Sequence, residues 1–226
     1  MIPQLEGSGA APVDRGDDGA DRFLDLLAHD LNAPITYLLG YSEMLAGGHL
    51  AGQDAAEAQV EIYREACRMT DLVAVMLEAT RARSGRLWLA PIQVGLDELL
   101  ERIVRRWQLA RPDVRLVVRG PRGGHVLADP DRLTLALHAL VGLAAGQAYA
   151  VERGVSVELR AEAEANGWRF AVTGPSADAS PNGTAARALA YEALSAIGAA
   201  HGGAFAAEDG RLLLTVRLQE APEETE

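Results

Sequence analysis

Between residues 21 and 83 the apolar positions return with a helical period, and beyond residue 91 the period changes repeatedly. Phe23, Leu26, Leu27, Leu31, Ile35, Leu38, Leu39 and Leu45 recur at helical spacing, which predicts one long amphipathic helix over 21–46. Asp21 is placed to cap its start and Gly47-Gly48 to end it. A second stripe, Val60, Tyr63, Cys67, Thr70, Val73, Leu77 and Thr80, predicts an inward face on a helix over 54–83, closed by Ser84-Gly85. Two long helices joined by a short loop make an antiparallel hairpin. A hairpin cannot bury its apolar stripe alone; two copies packed as a four-helix bundle can, so packing alone predicts a homodimer.

The remainder mixes periods. Residues 96–110, 130–148 and 184–200 read as helices, with Asp129 a candidate cap for the second. Val114–Arg119 reads as a strand. Val155–Ala163 and Trp168–Thr173 alternate like paired strands about Asn166-Gly167, and 203–207 and 212–218 pair about Asp209-Gly210. Residues 174–183 are a Pro/Ser/Asn/Gly loop. Without regular β–α alternation, the expected packing is a layer of helices on one face of a mixed sheet. The fold class is thus α followed by α+β. The expected divisions are a disordered tail over 1–20, the hairpin over 21–88, an α/β unit over 91–218 and an acidic tail over 219–226.

Composition narrows the partners. The net charge is −11 and all the basic residues are arginine, so a broad basic face for nucleic acid or an anionic membrane is not expected. Apolar runs fall far short of the roughly 18 residues that span a bilayer. A single cysteine, Cys67, cannot form an internal disulfide and suits a reducing, cytoplasmic setting. It is read as a packed thiol.

Candidate chemistry is concentrated in F-L-D-L-L-A-H-D-L-N-A-P-I-T-Y-L-L-G-Y, Phe23 to Tyr41. His29 sits in mid-helix with Asp30 directly after it and Pro34 five residues on. Pro34 cannot donate to the carbonyl of Asp30, a helix defect costing roughly 3 kcal/mol, and a bend is expected beside His29. A neutral imidazole is a good nucleophile near pH 7, and an adjacent carboxylate can accept its proton or hold its second nitrogen.

This segment resembles the H-box of the dimerisation and histidine-phosphotransfer domain of two-component histidine kinases. Phe23, His29, Asp30, Leu31, Asn32, Pro34, Ile35, Thr36, Gly40 and Tyr41 carry the resemblance, and Leu72–Leu87 resembles the exit of the family's second helix. The resemblance implies that His29 is the phosphoacceptor, Asp30 the acid that assists transfer, and Pro34 structural at the site. Asn32, Ile35, Thr36 and Leu39 become candidate contacts for a partner. Ala33 stands where members that dephosphorylate their partner carry Thr or Asn, so phosphatase activity by that route is not expected.

The family also carries a C-terminal ATP-binding domain of the GHKL type. Leu127–Gln147 resembles its N-box, with Asp129, Asp131, Arg132 and Leu133 in frame, but the two asparagines fall on Ala139 and Leu143. Leucine offers no oxygen to Mg²⁺. After Trp168–Thr173 the D-x-G-x-G turn reduces to Thr173-Gly174-Pro175-Ser176, with Asp178 too far along. Where glycines would let amides approach phosphates stand Ala186, Ala188 and Ala190, and alanine should simply continue a helix. The fold implied is a bundle-forming hairpin followed by a degenerate GHKL-type α/β sandwich that binds no nucleotide.

The function implied is a dimeric histidine phosphotransfer protein relaying phosphate between response-regulator receiver domains through His29. No cofactor is expected, Mg²⁺ being held by the partner receiver. Two alternatives remain: a pseudokinase that binds a kinase or receiver without turnover, and a histidine kinase with an unusual nucleotide site or one phosphorylated by an upstream kinase. His138 and His201 are read as structural, His49 and His125 have no assigned role, and Trp88, Trp107 and Trp168 are read as packing residues. No His, Cys or carboxylate grouping has metal spacing.

Overall fold

The computed structural model describes residues 17–121, 123–146, 155–177 and 184–217, with side chains from Leu27 onward. Most of the expected N-terminal tail, the acidic tail over 219–226 and most of the loop over 174–183 lie outside the described residues.

Two helices, α1 (Asp17–Ala46) and α2 (Gly52–Arg83), form the hairpin. α1 begins four residues before the predicted start, so Asp21 lies inside the helix and is not its cap. The helix runs unbroken through Pro34.

The α/β unit follows as β1 (Ile92–Gly95), α3 (Leu96–Ala110), β2 (Val114–Arg119), β3 (His125–Ala128), α4 (Pro130–Ala145), β4 (Val155–Glu164), β5 (Gly167–Thr173), α5 (Ala185–Ala200), β6 (Ala204–Glu208) and β7 (Arg211–Arg217). Five strands make one sheet in the order β2-β4-β5-β7-β6, with only β2 and β4 parallel. β1 and β3 pair antiparallel as a separate ribbon, Val94 opposite Val126. The ribbon has no clear sequence signal because β1 is four residues long and begins after Pro91.

The helices of this unit cover one face of the sheet. Alternate residues point inward: Val157, Leu159 and Ala161 from β4, Phe170 and Val172 from β5, Leu212, Leu214 and Val216 from β7, all essentially buried. Leu96, Leu99, Ile103 and Trp107 of α3, Leu133, Leu137 and Leu140 of α4, and Leu189, Leu194 and Ile197 of α5 meet them. The outer face carries charge, with Glu158 bridging Arg119 and Arg160. The β6–β7 turn has positive φ at Asp209 and Gly210, the signature of a two-residue hairpin. Trp107 and Trp168 are buried as expected, the indole N–H of Trp168 donating to the His125 carbonyl. Trp88 is not a packing residue here: it is 76% exposed, on the linker leaving α2.

The hairpin face of α2 differs from the expected one. Val60, Tyr63, Val73 and Leu77 are exposed, while Ala58, Glu65, Val75, Glu78 and Ala79 are buried. The reason is that α2 packs against the α/β unit as well as against α1. Val75 and Ala79 lie on the face turned to that unit, and the predicted stripe is left exposed.

Charged groups fasten the two parts. Glu78 of α2 receives the Arg132 guanidinium of α4. Arg83 forms a two-pronged pair with Glu192 of α5, both contacts at 2.6 Å. Asp71 meets Arg106 of α3 and lies 3.3 Å from Nδ1 of buried His138. Asp129 ties the linker down: its carboxylate caps α4 by accepting from the Arg132 amide, and it also accepts from the Ala90 amide and the Arg132 side chain. Burial opposes its ionisation, but those amides and the guanidinium together hold its carboxyl below the usual range. His201, also buried, accepts from the Asp129 amide at Nε2 and donates from Nδ1 to the Ile197 carbonyl. Burial pushes its imidazole down, so it is a neutral structural residue. Asp129→Ala removes a cap and two further hydrogen bonds. It should destabilise the fold by about 3 kcal/mol, read as a lower midpoint in urea with an unchanged slope.

Candidate functional site

The site begins with one turn of α1. Neighbouring helical residues diverge by about 100°, so His29 and Asp30 face different surroundings. The His29 side chain is 84% exposed, and that of Asp30 only 13%. Their closest approach is 3.7 Å, from His29 Nδ1 to Asp30 Oδ1. The other oxygen, Oδ2, accepts from the Ala186 amide at 2.9 Å, across 156 residues of sequence. Pro34 is buried, and the Thr36 hydroxyl donates to the Asn32 carbonyl.

Asn32, Ala33, Ile35, Thr36 and Leu39 are all exposed. They do not form one patch. At 100° per residue Asn32, Ala33 and Thr36 share the face of His29, Leu39 lies about 80° away and Ile35 about 120° away. Only the first three therefore adjoin the imidazole directly. Ala33 presents a methyl group with nothing to hold a water molecule.

The second cluster sits where α4 ends, β5 exits and α5 starts. Leu143 is nearly buried and Ala139 half-buried against the core. Thr173 is the last residue of β5, paired with Arg211. The chain then turns tightly onto α4: the Ser176 amide donates to the Ala144 carbonyl, and a side chain at Gly174 would meet that carbonyl at 2.6 Å. α5 starts at Ala185 after Thr184, whose hydroxyl caps it by accepting from the Arg187 amide. Ala186, Ala188 and Ala190 all lie within this continuous helix.

Arg187 was not singled out from sequence, yet it holds this region together. Its guanidinium donates to the Leu143 carbonyl at 3.1 Å, to the Ser176 carbonyl at 3.0 Å and to the Tyr191 hydroxyl at 3.3 Å, and it lies over the Tyr191 ring. One side chain thus joins three elements. An arginine alone among alanines is a weak signal, and its partners are 11 and 44 residues away. Among the described residues no group of three or more His, Cys, Asp or Glu comes together, and no helix is long and apolar enough to cross a membrane.

Residues 20–85 match the model of the His Kinase A (phospho-acceptor) domain. The chain is 29% identical over 139 residues to an uncharacterized sensor-like histidine kinase of Rhizobium meliloti, covering 59% of this chain and 26% of that protein. It is 28% identical over 165 residues to the virulence sensor protein BvgS of Bordetella parapertussis, covering 69% of this chain and 13% of BvgS. It therefore spans about a quarter or less of these relatives' length. Among solved structures, the Acinetobacter baumannii histidine kinase AdeS superposes with a TM-score of 0.54 at 14% identity, over 85% of this chain and 98% of that one. The fold is that of a histidine kinase: a helical hairpin followed by an α/β sandwich.

Arg187→Ala should free the α4 end, the 174–177 turn and the first turn of α5 together. Three hydrogen bonds from a charged donor are lost, so amide exchange there should speed up by about 4 kcal/mol of opening free energy, with the β4–β5 core unchanged.

Proposed function

We propose that the chain, which joins a His Kinase A match over residues 20–85 to an α/β domain with the histidine-kinase fold, is a two-component signalling protein that relays phosphate through His29 without using ATP. The observation that carries this reading is the pairing of an open imidazole with a closed phosphate-loop position. His29 is exposed beside Asp30, whereas the place of a glycine-rich loop is taken by a helix that Arg187 pins to α4 and to the 174–177 turn.

A Mg²⁺–nucleotide does not fit the residues at that corner. Leu143 carries no oxygen for the metal. The amides of α5 that would meet phosphates are committed to helix, to the Thr184 hydroxyl and to Asp30. The Arg187 guanidinium already donates to two backbone carbonyls and to the Tyr191 hydroxyl.

In the relay, His29 Nε2 attacks the phosphorus of a receiver's phospho-aspartate. A P–N bond forms as the P–O bond breaks, and the receiver regains its carboxylate. Asp30 stabilises the positive charge that develops on the imidazole. The group then moves to a second receiver by the reverse chemistry. Asn32 and Thr36 adjoin His29 and would meet the docking receiver; Ile35 and Leu39 lie further round the helix and would meet it at the edge. Ala33 supports transfer over hydrolysis.

His Kinase A domains dimerise, and the exposed stripe of α2 fits that use. Val60, Tyr63, Val73 and Leu77 form an apolar seam that α5 leaves uncovered. The double substitution Val73→Glu, Leu77→Glu places carboxylates in that seam. It should weaken self-association about 100-fold or more by sedimentation velocity while preserving helical circular dichroism.

The relay itself is tested with label. Receiver domains charged with ³²P-acetyl phosphate, and separately ATP with Mg²⁺, are offered to the protein. Label should come from a receiver only and vanish in His29→Gln. Strong labelling from ATP alone would overturn the proposal. Receiver binding with no labelling from either donor would make the chain a non-catalytic regulator.

A further inference from the structure

We propose that the first turn of α5 is a positioning element of the phosphotransfer site: the Ala186 amide holds Asp30 so that Asp30 fixes the imidazole of His29 with Nε2 as its nucleophile. This rests on the reading of His29 as phosphoacceptor, and it gives the α/β domain a part in transfer that needs no nucleotide.

The geometry divides the Asp30 carboxylate between two tasks. Oδ2 accepts from the Ala186 amide at 2.9 Å, while Oδ1 lies 3.7 Å from His29 Nδ1. A carboxylate that could rotate freely would be solvated and would hold neither ring nitrogen. With Oδ2 engaged, Oδ1 stays on the Nδ1 side. A closure of about half an ångström turns this contact into a hydrogen bond, which would place the proton on Nδ1 and leave the lone pair on Nε2, the nitrogen further from the backbone.

The donor is suited to this. Ala186 is the second residue of α5, so its N–H has no partner within the helix. The Thr184 hydroxyl takes the next free amide but one residue on, that of Arg187. Ala186 itself carries only a methyl group, which lets α1 approach. A glycine loop would leave such an amide to move; a capped helix holds it still. The placement of α5 is fixed from two further directions, by the Arg83–Glu192 pair on α2 and by Arg187 on α4.

The test uses the full chain and phosphoramidate, a small donor that needs no partner. His29 Nε2 attacks its phosphorus, the P–N bond of the donor breaks, and ammonia leaves with a proton. Ala186→Pro removes the donor amide at a helix position where proline is tolerated. Ala185→Pro is the control. It puts proline at the first helical position after an extended Thr184 and keeps the Ala186 N–H. Ala186→Pro should slow His29 phosphorylation about tenfold at saturating phosphoramidate without changing the half-saturating concentration. It should also raise the share of Nδ1 adduct seen by ³¹P NMR. Ala185→Pro should stay within about twofold of wild type and remain on Nε2.

Should Ala186→Pro fail to fold, Asp30→Ala serves. Exchange of the Ala186 amide should then speed up about tenfold or more, with the Thr184-capped Arg187 amide unaffected. Equal rates and equal adduct ratios in the two proline variants would overturn the positioning role, as would unchanged Ala186 exchange in Asp30→Ala. A faster Ala186→Pro would also overturn it, making the contact a brake. Wild type that takes phosphate from phosphoramidate but from no receiver would sink the relay and leave this inference standing.

Discussion

Helix α5 is the part on which the rest of the arrangement depends, and what matters about it is where it starts. Thr184 caps it, Ala185 opens it, and within two turns Ala186, Arg187 and Glu192 reach α1, the α4 end and α2. A flexible glycine segment could not hold three such contacts at once, because each would have to restrain a mobile backbone. A capped helix offers donors and side chains at fixed spacing. The hairpin and the α/β sandwich meet across this rigid element.

Its cost falls on the hairpin. α2 presents one face to α5 and leaves another exposed. The helix therefore carries two kinds of apolar surface. One is short and mixed with buried charge, Val75 and Ala79 beside Glu78, and each charge has a partner. The other is a longer exposed stripe without charge. Buried ion pairs add little net stability but are costly to break singly. Glu78–Arg132 therefore defines how the two parts fit more than how strongly they adhere.

The site combines an exposed imidazole with a sheltered carboxylate. That contrast follows from helical geometry, since adjacent residues diverge, and from α5 lying on the Asp30 side only. The imidazole is open to solvent, while the neighbouring carboxylate is largely covered and accepts from the Ala186 amide. In the α/β domain the Arg187 guanidinium reaches the Leu143 and Ser176 carbonyls, and the Thr184 hydroxyl accepts from the Arg187 amide.

Much of this was written in local pattern. The helical period of residues 21–83, the cap at Asp129, the Asp209-Gly210 turn and the helix-favouring alanines at 186, 188 and 190 act over a few residues, so the sequence determines them by itself. So does the H-box spacing that sets His29, Asp30 and Pro34 on one helix. Which stripe of α2 is covered, the exposure of Trp88, the β1–β3 ribbon, the three-way grip of Arg187 and the bond from Ala186 to Asp30 were decided by tertiary structure alone. Each depends on partners far apart in sequence, and a side chain's neighbours across such distances are set by how whole elements pack, not by the residues beside it.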